Sequence, residues 1–145
     1  MTNTPGSNLI ILDSDALIGL MNTTDKHHEI CKEIILYLIN NNYETFIPYP
    51  IVLEASTTLA RGSRINRPDL AAKLLEDNIE TESDTKINYS VSAEVAQLYN
   101  PKTSKKNTPF DHYVLALAKK NNIKYIFSFD KFYEKNGLTL IEDLL

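Results

Sequence analysis

Four carboxylates stand at places where the sequence changes character. Asp13 directly follows the apolar run Leu9-Ile10-Ile11-Leu12, and Asp130 follows Tyr125-Ile126-Phe127 after two residues. Glu54 lies about one turn into an apolar stretch opened by Pro50, and Asp111 sits just after Thr108-Pro109. Carboxylates gathered at one point repel one another unless a cation sits among them, and an all-oxygen donor set selects Mg2+ or Mn2+. Such ions polarise a phosphoryl oxygen, activate water and stabilise a leaving oxygen, which is what phosphodiester hydrolysis requires. That chemistry depends on a fold that brings four distant residues together.

The positioning elements follow from the pattern. The unbroken run 9–12 suits a strand buried on both faces, and 16–21 reads as a short helix. Thr24 or Asp25 can cap a second helix whose apolar face is Ile30, Ile34, Ile35 and Leu38, ended by Asn40-Asn41-Asn42. Residues 45–47 make a short strand closed by Pro48, and Pro50 opens a helix running to 60. A basic turn over 62–67 leads into a helix over 68–78, with Leu70, Leu74 and Leu75 inward. Alternation over 86–91 predicts a strand, with Ile87, Tyr89 and Val91 on one face. A helix over 93–99, capped by Ser92, precedes a polar loop over 100–108. The helix over 109–120 ends at Asn121-Asn122, and strand 125–127 follows. A short helix closed by Gly137 and an edge strand over 138–141 complete the chain.

Strands alternating with helices imply a parallel α/β sheet with helices on both faces. Ligands of such folds bind outside the carboxyl ends of the strands. Strands end at that edge and the next helices begin there, so Asp13, Glu54, Asp111 and Asp130 all belong to it. Taken singly, the acids have plainer readings: Asp111 favours the helix dipole, and Asp130 caps the helix after it. Their shared edge is the stronger signal.

Length and composition set the bounds. A chain of 145 residues suits one domain, here expected at 9–145 behind a flexible tail at 1–8. The lone Cys31 cannot form an internal disulfide and reads as a small core residue. With no basic-then-apolar start and no run long enough to span a bilayer, a soluble cytoplasmic protein with no membrane partner is expected. Lys and Arg number 15 against 19 Asp and Glu, a formal charge of −4. That balance argues against a simple nucleic-acid binder. It does not argue against a nuclease, because bound cations invert the charge where the phosphate must sit.

The same residues carry a family resemblance. Leu12-Asp13-Ser14-Asp15-Ala16-Leu17-Ile18 resembles the opening motif of the PIN-domain ribonucleases, and among them of the VapC-type toxins of bacterial toxin–antitoxin pairs. Pro50-Ile51-Val52-Leu53-Glu54-Ala55, with Leu59-Ala60-Arg61 downstream, is similar to the family's Glu-bearing helix. The stretch from Asp111 to Ala118 resembles its third acidic motif, and Ser128-Phe129-Asp130 with Tyr133 resembles its closing Ser/Thr-x-Asp and aromatic. The resemblance runs from about Leu9 to Leu145. It implies a PIN-like three-layer α/β/α fold around a parallel sheet of four to five strands. It also implies a Mg2+- or Mn2+-dependent endoribonuclease in which Asp13, Glu54, Asp111 and Asp130 hold one or two ions, directly or through water. Ser128 and Ser14 would orient a carboxylate, a water or the phosphate. A homodimer and a small cognate antitoxin are the implied partners.

Asp15 departs from the family, which usually has Ser, Thr or Asn there. It could be a further outer ligand; the plainer reading, a cap for 16–21, is preferred. Arg61, Arg64 and Arg67 surround the turn after the Glu54 helix, and Lys102, Lys105 and Lys106 sit in the loop before Asp111. These bases could meet RNA phosphates or simply be solvated. His112 reads as a helix-surface residue, and no His or Cys spacing suits zinc. Three rivals stand: an RNA-processing nuclease of the same family without an antitoxin, a non-catalytic interaction module on the same fold, and a haloacid-dehalogenase-type phosphatase with Asp13 as nucleophile. The last wants Thr or Val at position 17 and a late acid pair, and neither is present.

Overall fold

The computed structural model describes residues 8–62, 64–80, 86–102 and 106–145. Strand β1 (Leu9–Leu12) is buried along its whole length, as an unbroken apolar run demands. It pairs in parallel with β2 (Glu44–Phe46) on one side and β3 (Tyr125–Phe127) on the other, and β4 (Thr139–Leu140) extends the sheet beyond β3. The order is β2-β1-β3-β4. Ladder bonding already begins at Asn8, whose carbonyl accepts the Glu44 N–H at 2.9 Å.

Helices α1 (Ser14–Met21) and α2 (His28–Asn40) connect β1 to β2. Helices α3 (Tyr49–Arg61), α4 (Pro68–Asp77), α5 (Ser92–Leu98) and α6 (Pro109–Lys120) connect β2 to β3. The chain moves one way along the sheet after β1 and the other way after β2. Right-handed crossovers therefore put the two sets of helices on opposite faces, giving three layers. Short α7 (Lys131–Lys135) leads from β3 to β4, and a 3-10 turn (Ile141–Leu144) follows. The ends of α2 and α6 turn through Asn42 (φ 59°) and Asn122 (φ 56°), and α7 stops at Gly137 (φ 95°). Asn and Gly are the residues that enter this left-handed region most cheaply.

Two expectations about this frame need correction. Residues 86–91 form no strand. Ile87 and Val91 are buried but Tyr89 is 45% exposed, so the alternation marks two anchoring points and not a ladder. The side chain of buried Asn121 takes the place of a neighbouring strand. Its Oδ1 accepts the Asn88 N–H at 2.8 Å, and its Nδ2 donates to the Asn88 carbonyl at 3.0 Å. His112 is not on the surface but buried, its Nδ1 2.8 Å from the Thr108 carbonyl and its ring against Tyr99 and Phe132. Cys31 is fully buried, with its thiol pushed up to about 12 by burial, as suits a packing residue and not a nucleophile.

Candidate active site

The sheet order gives a switch point at its carboxyl edge. The chain leaves β1 toward β2 and leaves β3 toward β4, so the connections diverge between the two central strands. Asp13 and Asp130 flank that point, where open α/β sheets bind ligands. The Asp13 N–H donates to the Phe127 carbonyl at 3.1 Å and continues the ladder to the last residue of β3. Asp13 is the N-cap of α1, its Oδ1 accepting the Ser14 N–H at 2.9 Å, and it is 3% exposed.

Ser128 joins the two sides. Its hydroxyl lies 3.1 Å from Asp13 Oδ2 and 3.1 Å from Asp15 Oδ2, and its oxygen accepts the Asp130 N–H at 3.2 Å. One hydroxyl proton thus serves two carboxylates. Asp15 does not cap α1, since that place belongs to Asp13. Its Oδ2 instead accepts the Phe129 N–H at 2.8 Å and binds α1 to the turn after β3. The Phe129 ring stacks on His27 with centroids 4.0 Å apart and planes within 4°, which fixes the turn from the other side.

Asp111 enters from α6, whose start explains its orientation. Asp111 stands at the third helical position, and its Oδ2 accepts the Thr108 N–H at 3.0 Å in a capping box. Its Oδ1 accepts the Tyr133 hydroxyl at 3.4 Å. Tyr133 is fully buried, and its phenol is pushed far up by burial and by Asp13 and Asp111, so it stays a donor. Asp130 caps α7, with Oδ1 accepting the Phe132 N–H at 2.9 Å. Asn107 Nδ2 donates to Asp111 Oδ2 at 3.2 Å and to Asp130 Oδ2 at 3.0 Å. Glu54 arrives on α3, half-buried, with Ser14 among the groups that favour its ionised form.

Electrostatics follow from this crowding. Burial, the largest cause, raises the carboxyl of Asp13 well above the usual range, and repulsion from Asp15 and Asp111 adds to it. Burial likewise raises Asp15, to about 6, with Asp130 adding repulsion. Glu54 is raised by burial, Asp111 and Asp15, and Asp111 by burial and Asp130. Glu54 Oε1 and Asp15 Oδ1 are buried with no hydrogen-bond partner. None of the ion pairs among the described residues reaches these acids.

The donor set fits a hard divalent cation. Among the described residues no three His, Cys, Asp or Glu side chains form a ready-made cage. Mg2+ does not need one, because it commonly takes one or two carboxylates and keeps several waters. Two unpartnered buried carboxylate oxygens and a group of mutually repelling acids are what a cation would relieve.

A family model for the PIN domain matches residues 10–137, a span that includes all four acids. The chain belongs to the PIN-domain family. Its fold is similar to the crystal structure of Mycobacterium tuberculosis VapC20, described as a Sarcin-Ricin loop cleaving toxin, with a TM-score of 0.69. The alignment covers 90% of this chain and 96% of that one at 14% sequence identity, a likeness of fold. No curated protein matches the sequence.

The candidate bases of this PIN domain are less gathered than its acids. Arg67 is engaged by Asp69 on both oxygens, at 2.9 and 2.7 Å, and is the least available of the three arginines. Arg61, Arg64, Lys102 and Lys106 are exposed, and Lys105 lies outside the described residues. Asn107 and Asn121 were not legible as functional or structural keys, since a loop Asn and a helix-end Asn carry no distinguishing pattern. Tyr133 had only its place in the closing motif to mark it.

Proposed function

We propose that this PIN domain is a Mg2+- or Mn2+-dependent endoribonuclease of the VapC type, the toxin of a toxin–antitoxin pair. The observation that carries the reading is the convergence of Asp13, Glu54, Asp111 and Asp130 at the sheet's switch point. There Asp13 is buried and the other three are half-buried, crowded by one another's charge and without a cationic partner among the described residues. Asp13, Glu54, Asp111 and Asp130 hold the ion or ions, which when bound supply phosphoryl polarisation and water activation. Ser128 holds the Asp13 carboxylate in place, and Ser14 favours the charged form of Glu54. Tyr133 keeps its proton and steers Asp111 from below the site.

The scissile phosphate enters from the open carboxyl edge. Arg61, Arg64, Lys102, Lys105 and Lys106 supply phosphate contacts, with Arg67 contributing only if it leaves Asp69. Until the acids are neutralised by cations the edge repels RNA, so affinity should be weak in chelator. A small antitoxin that covers the edge, a homodimer and a cytoplasmic setting complete the proposal. The likeness to VapC20 makes the Sarcin-Ricin loop the first substrate to try.

Incubating the protein with structured RNAs and Mg2+, beside an Asp13→Asn control, tests this. Discrete cleavage should appear only with wild type and divalent ion. Equal cleavage in EDTA, or by the variant, would refute it.

A further inference from the structure

The outer pair of acids is held by a residue outside every motif. Asp111 begins α6, Asp130 begins α7, and their charges repel. Among the described ion pairs no Lys, Arg or His stands between them. The Asn107 amide does, reaching Oδ2 of each at 3.2 and 3.0 Å. An amide nitrogen carries two hydrogens, so one bond to each carboxylate is available at the same time. The other oxygens are taken from their own sides, Asp111 Oδ1 by Tyr133 and Asp130 Oδ1 by the Phe132 N–H. The next residue, Thr108, donates its N–H to the same Asp111 Oδ2, which fixes the backbone from which Asn107 reaches across.

The chemical type of this bridge matters. A Lys or Arg there would neutralise the pair and repel an incoming cation. An amide draws the carboxylates together and leaves both charges in place. We infer that Asn107 is a positioning residue that clamps Asp111 and Asp130 at a set separation before a divalent ion arrives. The inference rests on the metal-dependent reading above. Without the clamp the two acids splay, and the ion must itself overcome their repulsion. Partners of this kind, which orient metal-binding carboxylates, commonly change affinity by about 10–100-fold.

The test is Mn2+ binding by the full chain, following free Mn2+ by electron paramagnetic resonance at one pH, for wild type, Asn107→Ala and Asn107→Leu. Circular dichroism in EDTA establishes that each variant is folded, and the Leu variant retains side-chain volume while removing both donors. Mn2+ affinity about tenfold weaker or more in both variants supports the clamp. Variants within about twofold of a wild type that binds Mn2+, or recovery of affinity in Asn107→Leu, overturn the clamp and leave the nuclease reading standing. A wild type that binds no Mn2+ overturns both.

Discussion

Asp15 offers a measurable link between the site and the stability of the fold. Its carboxyl is raised from 3.8 to about 6, chiefly by burial, and its Oδ1 has no partner. Because the folded-state value lies above the ordinary one, the ionised group is penalised in the folded chain throughout the range above about pH 6. The penalty fades as pH falls from about 6 and is gone only below about 4, where the carboxyl is protonated in both states. A shift of about two pH units corresponds to about 3 kcal/mol. Asp15→Asn removes that charge while keeping an oxygen for the Phe129 N–H and the Ser128 hydroxyl. Its amide nitrogen replaces the unpartnered Oδ1, at a cost of about 1 kcal/mol. A net gain of about 2 kcal/mol at pH 7.5 in EDTA follows, or about 1 M in the urea midpoint for a chain of this size. At pH 4.5 the gain should nearly vanish. Saturating Mg2+ should shrink it at pH 7.5, because an ion bound among the acids would favour ionised Asp15 and offset the burial penalty in the wild type. Urea titrations of both proteins at the two pH values, with EDTA and with Mg2+, provide the assay. A variant less stable than wild type at pH 7.5 in EDTA, or parallel pH profiles for the two, would show that the Asp15 charge carries no such penalty.

Two further substitutions probe the frame around the site. Asn121→Ala removes both bonds to Asn88 and one to the Leu117 carbonyl from a buried position, and should cost about 2–3 kcal/mol in urea unfolding; a loss under about 0.5 kcal/mol would mean that residues 86–91 do not depend on it. Gly19→Ala would place its Cβ 2.6 Å from the buried Cys31 Sγ, so it should destabilise by about 1–3 kcal/mol despite the better helix former. In a Cys31→Ala background the same change should become neutral or stabilising, and equal costs in the two backgrounds would rule out the clash as cause.

What the sequence could reveal was set by how local each determinant is. The run Leu9–Leu12 announces a doubly buried strand because all four positions are apolar, and Asn42, Asn122 and Gly137 mark helix ends because few residues accept φ near 60° or 95°. The acids were legible by the same logic, since Asp13 and Asp130 follow strands, Asp111 opens a helix and Glu54 lies about one turn into another, and a parallel sheet puts all these positions near one edge. Residues 86–91 were misread because alternation reports which side chains are buried and says nothing of what the backbone bonds to. There the partner is the side chain of Asn121, thirty-three residues away. Asp15 was misread for a related reason. A carboxylate next to a helix start resembles a cap locally, yet its bonds run to Ser128 and Phe129 across the switch point. Asn107 shows the limit most clearly, as its importance lies in standing between two acids that meet only after folding. The four candidate carboxylates are therefore visible as punctuation of the secondary structure. The neutral donors that bridge them, such as the Asn107 amide between Asp111 and Asp130, are defined by tertiary contacts alone, which no local stretch of sequence contains.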